Sequence, residues 1–367
     1  MNKFKLSQSS SIALDLIRSL SSQIVLIGHG MVLFGIFPSK ESLTPLYLQN
    51  FGVLVFFILS GFLISYSTFN KFESPNYVFL TYFTDRFVRI YVAYLPILVL
   101  IFLFDYFIFA KFLPNKYGHF QDLNIKTFVG NLFMLQDFQL KNLSEFTKSM
   151  SVTSLGSARP LWTLALEWWF YMFFGWLVFY NKIKLNVILK VGILLSLSLI
   201  PLINILLNPR GNCLGAIWFL GCLIYLLSSN GFLKTISIKK TLLILLVLII
   251  LLFFRVNFNQ NEFYDFRIGF LTAAIIFFVI LLFQNLDYFK NKNLNLIIKR
   301  TSDYSFTLYL IHYSILDFYH FYFTNNNKWF DLIITLIMCN LIAFLIAFCT
   351  EFKHKKLRKL VFNKLGI

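Results

Sequence analysis

The stretch IALDLIRSLSSQIVLIGHGMVLFGIF, Ile12–Phe37, decides the fold. It stays apolar for longer than the roughly 20 residues a helix needs to cross a bilayer at about 1.5 Å per residue. It nevertheless carries Arg18 and His29, eleven positions apart. At about 100° per residue the two directions differ by only about 20°, so both side chains share one helix face, about 16 Å apart along the axis. Ionisable groups are costly at membrane depth and face a bundle interior or a watery cavity. A guanidinium and a deeper imidazole on one face therefore predict a ligand path. The competing reading is an Arg18 that snorkels at the membrane edge and a His29 satisfied in the core. Lys3 and Lys5 precede the run, but it is too long for a signal-peptide h-region, contains Arg18 and lacks an A-x-A-like cleavage site. It reads as a retained first span.

Working outward, the chain is 58% hydrophobic and only 13% charged, with a mean hydropathy of +0.72. Soluble globular proteins carry about a quarter charged residues. The fold class predicted is all-α, a polytopic transmembrane helix bundle. Hydropathy marks about ten spans, at 12–37, 47–69, 88–110, 161–180, 185–207, 213–229, 241–255, 268–286, 304–324 and 330–350. The polar stretch 111–160 reads as an ordered external loop, with a surface-lying helix around Phe128–Leu135.

The net charge of +17 would suggest nucleic acid in a soluble protein. Here the cations sit in loops and give topology instead, and no nucleic-acid partner is expected. One set of loops and both termini hold 21 Lys and Arg residues, against five in the opposite short loops. The positive-inside rule then makes both termini cytoplasmic and turns the loops after residues 38 and 111 outward. The basic tail at about 351–367 would meet anionic lipid heads. Cys213, Cys222, Cys339 and Cys349 lie in apolar stretches with neither disulfide nor zinc spacing, and no metal site is predicted.

Other polar groups stand near the predicted membrane. Arg86 and Arg89, in DRFVRIY, are neighbours three apart on a helix, and two planar guanidinium forks make a phosphate clamp. Ordinary positive-inside flanking is the alternative; Arg18 at a similar depth favours the clamp. Glu167, in PLWTLALEWWFYMFF, is a carboxylate in an apolar helix and must be protonated, paired or facing a cavity. His312, in SFTLYLIHYSIL, reads as cavity-lining, and His320 as structural. Ser60–Gly61 in span two permits close helix approach.

These residues resemble the acyltransferase-3 family of integral membrane acyltransferases. The likeness rests on Arg18 followed by His29, on FFILSGFLIS, on Arg86-x-x-Arg89, on Trp162-Thr-Leu-x-x-Glu167 with Phe170–Tyr171, and on LYLIH ending at His312. They occur in the family's order across nearly the whole chain. The resemblance implies one integral membrane acyltransferase domain over 1–367 that transfers an acyl group, usually acetyl, from cytoplasmic acyl-CoA to a hydroxyl. It implies a multi-pass protein of the bacterial inner membrane, with membrane lipids and an envelope glycan such as lipopolysaccharide, or a lipid-linked sugar, as partners. Oligomeric state is left open. The length to Ile367 leaves no room for the hydrolase-like domain of some members, so transfer is expected to finish within the membrane domain.

On this pattern Arg18, Arg86 and Arg89 would hold the phosphates of acetyl-CoA, and its long arm would reach His29. His29 would act as general base, with Glu167 orienting it or relaying its proton. Trp162 and His312 would line the cavity. Direct transfer and an acyl-histidine intermediate both remain open. One departure is Trp168–Trp169, where relatives often carry polar residues. The alternative class is a sugar transporter, flippase or polysaccharide polymerase. Against it, no Gly/Pro-broken helices occur in corresponding halves, and the best-placed arginines are on the cytoplasmic side.

Overall fold

The computed structural model describes residues 4–36, 48–112, 117–136, 151–206, 213–230, 236–257, 264–323 and 327–366. Lys3, Lys40, Arg210 and Lys234, four of the cations used for topology, lie outside them. The described chain is helical, with one isolated bridge between Gln136 and Val152. In order the helices are α1 (Gln8–Leu33), α2 (Leu48–Phe72), α3 (Phe79–Phe104), α4 (Ile125–Leu132), α5 (Leu161–Phe179), α6 (Val187–Leu206), α7 (Leu214–Ser229), α8 (Ile238–Asn257), α9 (Phe266–Asn285), α10 (Lys292–Asp303), α11 (Ser305–Phe323), α12 (Lys328–Cys349) and α13 (His354–Leu365).

Among the described residues, seven helices are long and apolar enough to cross a membrane: α1, α2, α3 with its extension to Phe112, α5, α8, α9 and α12 with the segment after it. The stretches expected as the fifth, sixth and ninth spans form α6, α7 and α11. α7 has only 16 residues, and the apolar run of α11 is broken by Tyr309, His312, Tyr313, Asp317, Tyr319 and His320. α1 stops at Leu33, short of the expected Phe37, because Gly35 takes a left-handed φ of 61°. The Gly35 and Ile36 N–H groups then bond back to the carbonyls of Val32 and Met31, closing the helix end. The helix expected around Phe128–Leu135 starts earlier, since Asn124 caps it by accepting from Thr127 N at 2.9 Å, and it ends before Met134 at φ 58°.

The described chain forms two compact units, interleaved in sequence: Met1–Gly28, Ser39–Pro75 and Leu207–Ser305 in one, His29–Pro38, Asn76–Leu206 and Phe306–Ile367 in the other. In the first, α2 and α7 touch backbone to backbone. A Cβ on Gly61 would lie 2.1 Å from the Trp218 carbonyl oxygen, and one on Gly221 would lie 2.1 Å from that of Ile58. The Ser60–Gly61 pair thus serves the close approach its small size allows. The start of α1 is tied to the end of α9 through Ser7 and Ser10, which bond to Gln284 and to the carbonyls of Phe283 and Ile280. In the second unit α3 and α5 pack through Tyr82, whose hydroxyl donates to Tyr171 O at 2.8 Å and whose ring fills the space beside Gly175.

Candidate active site

α1 carries both Arg18 and His29, as its periodicity predicts. Arg18 belongs to the first unit. Its Nε donates to Ser302 Oγ at 2.9 Å and its Nη2 to Ser302 O at 3.0 Å; Ser302 Oγ in turn donates to Asp15 at 3.0 Å. The guanidinium is 23% exposed and lies 3.7 Å from the Asp15 carboxylate.

In the second unit the end of α1 meets α11. The His29 ring lies 5.3 Å from that of His312 and 5.2 Å, edge-on, from Tyr313. His312 is buried. Its Nδ1 lies 2.8 Å from Tyr309 O and 3.1 Å from Leu308 O. Carbonyl oxygens only accept, so Nδ1 carries the proton and Nε2 keeps its lone pair. That Nε2 is buried without a hydrogen-bond partner. Two imidazoles side by side, one with its basic nitrogen held bare by its own helix, form a centre able to take and return a proton.

Tyr309, one turn before His312, joins α11 to α5. Its hydroxyl bonds to Thr163 Oγ1 and lies 3.2 Å from Pro160 O, and its ring lies 5.8 Å from that of His312. Glu167, one turn after Thr163, accepts from Tyr171 and lies within electrostatic range of Tyr309. Glu167 was expected against His29. His29 has ring contacts with His312 and Tyr313, and Glu167 bonds to Tyr171 on α5. Trp162 sits in the first turn of α5, half-buried. Trp168 and Trp169 have a packing explanation. Trp168 stands edge-on to Phe83, Phe87 and Tyr91 of α3, and Trp169 Nε1 donates to Met134 O at 2.8 Å.

Arg86 and Arg89 share the first half of α3, in this same unit. Arg86 lies over the Tyr82 ring at 5.7 Å. Arg89 donates to Glu351 at 3.1 Å and lies 3.4 Å from His354 Nδ1. Arg89 is therefore held in an ion pair with Glu351 that its local sequence does not reveal. Also missed was Asp105, fully buried at the π-helical end of α3 (Asp105–Phe109), although a lone acid within an apolar run was signal enough. Among the described residues no group of three or more His, Cys, Asp or Glu could hold a metal ion.

A family model described as an acyltransferase domain matches residues 11–350, a stretch that includes Arg18, His29, Arg86, Arg89, Trp162, Glu167 and His312. No curated protein and no solved structure matches the chain.

Proposed function

This chain belongs to the acyltransferase-3 family, and from that premise we propose that it moves an acetyl group from cytoplasmic acetyl-CoA to a hydroxyl of a cell-envelope glycan or lipid-linked sugar. It is a membrane acyltransferase; the donor, the acceptor and a bacterial inner-membrane location are our reading. The observation that carries the reading is the His29–His312 pair. An acceptor hydroxyl is too weak a nucleophile to attack a thioester unless a base removes its proton. His29 takes that proton as the oxygen attacks the thioester carbonyl carbon. The carbon–sulfur bond then breaks, and the departing thiolate recovers a proton from the imidazolium. The neutral His312 ring stands beside the imidazolium while it exists, and Glu167 acts on the pair through Tyr309.

The donor's phosphates call for planar cationic forks. Arg86 and Arg89 supply them in the second unit, beside the segment that begins at Glu351. Arg18 is proposed as a further phosphate ligand on its position in α1 alone, and Arg18→Ala should then raise the KM for acetyl-CoA in a steady-state CoA-release assay. The test of the function is direct. Purified protein in lipid nanodiscs, given radiolabelled acetyl-CoA and an envelope extract, should release free CoA and move label onto a hydroxyl-bearing acceptor. Thioester turnover no higher than that of heat-inactivated protein would overturn the proposal, and movement of an unmodified glycan across the bilayer would favour a transporter.

A further inference from the structure

Glu351 stands in a short 3-10 turn, Glu351–Lys353, between α12 and α13, and is 1% exposed. A buried carboxylate persists only where bonds replace its water. Its two oxygens face different helices. Oε1 accepts from Arg89 Nη2 of α3 at 3.1 Å. Oε2 accepts from Thr307 N and Thr307 Oγ1, in the first turn of α11, at 3.2 and 3.0 Å. Thr307 stands about a turn and a half before His312 on the same helix.

A second bridge of opposite sense reinforces the junction. Arg358 Nε of α13 donates to the buried Asp85 of α3 at 2.5 Å, and Asp85 lies one turn before Arg89. Between the bridges, His354 Nδ1 lies 2.8 Å from Glu351 O. The Arg89 side chain is still 32% exposed, so the pair holds the guanidinium without enclosing it.

We infer that Glu351 is a positioning residue for acyl transfer: one carboxylate ties the donor-binding arginine, Arg89, to the helix that carries His312. The inference rests on Arg89 being a ligand of the donor. A merely structural ion pair would fasten α13 to α3 and leave donor recognition alone. Glu351→Gln separates the two, because a carboxamide oxygen can still accept from Thr307 while the charge facing Arg89 is gone.

The experiment measures kcat, the KM for acetyl-CoA and the thermal midpoint of purified full-length wild type, Arg89→Ala, Glu351→Gln and the double variant. Losing one charge-assisted hydrogen bond predicts a rise of about tenfold in donor KM for Glu351→Gln. Its kcat should stay within about twofold, since the imidazole pair is intact. The double variant should be no worse than Arg89→Ala alone, because both changes act on one guanidinium. Should Glu351→Gln not fold, Thr307→Val removes a single donor to Oε2 and should raise the same KM about threefold. Glu351→Gln that lowers the thermal midpoint but leaves donor KM unchanged, beside an Arg89→Ala that raises it, overturns the inference and leaves the donor reading standing. Arg89→Ala with an unchanged donor KM removes Arg89 from the donor site and overturns both.

Discussion

Replacing Asp105 by Ala should be among the single changes most damaging to stability. The carboxylate is fully buried and closes three bonds. Tyr117 Oη donates to Oδ2 at 3.0 Å, Ser157 N to Oδ2 at 2.7 Å, and Ser157 Oγ to Oδ1 at 2.9 Å. Because Ser157 gives its hydroxyl proton to Asp105, it accepts from Ser314 Oγ of α11 at 2.7 Å. One acid thus pins the segment before α5 to the helix of His312. Burial and the neighbouring Asp105 charge push the Tyr117 hydroxyl pKa up, so it remains a donor. Asp105→Ala strands three donors. At about 1–3 kcal/mol each, less what local relaxation returns, the loss is roughly 3–5 kcal/mol. Asp105→Asn keeps one acceptor but turns an amide N–H₂ toward donors, and should cost roughly 2 kcal/mol. Ser157→Ala removes one bond to the carboxylate and should cost roughly 1.5 kcal/mol. Denaturant titration of the purified protein in detergent, followed by tryptophan fluorescence, measures the series. An Asp105→Ala variant within about 1 kcal/mol of wild type would refute the reasoning.

Three other outcomes follow from single contacts. Gly61→Ala puts a methyl 2.1 Å from the Trp218 carbonyl oxygen, forces α2 and α7 apart and should cost about 1–3 kcal/mol in the same titration. Gly156→Ala meets both a left-handed φ of 49° and the Asp105 carboxylate 2.2 Å away, so it should destabilise the protein more than an alanine at the open Gly118. His312→Ala should lower kcat by at least about 10²-fold, with donor KM changed far less, in a steady-state CoA-release assay.

Much of this architecture could be read from the sequence because it is local. Helix existence follows from apolar runs too long for anything else, and one helix carrying Arg18 and His29 follows from counting turns. The end of α1 was misplaced because the Gly35 stop falls inside an unbroken apolar run. The missed parts of the site are tertiary. His29 could be singled out as a base within an apolar helix, but nothing in a 3.6-residue period says that its ring meets His312 and Tyr313, from a helix nearly 300 residues later. Arg89 could be singled out from its spacing to Arg86, but not the partner that orients it, Glu351, which is 262 residues away. Trp168–Trp169 stood out only as a departure because the α3 rings and the Met134 carbonyl they contact lie elsewhere in the chain.

The account turns on the His29 imidazole as the proton acceptor in acyl transfer. The most direct measurement is acetyl-CoA turnover by purified His29→Ala beside wild type, with matched unfolding midpoints as the control for folding. A loss of at least about 10²-fold in turnover at an unchanged midpoint is the predicted result. Turnover close to wild type would contradict it and move the base to another residue.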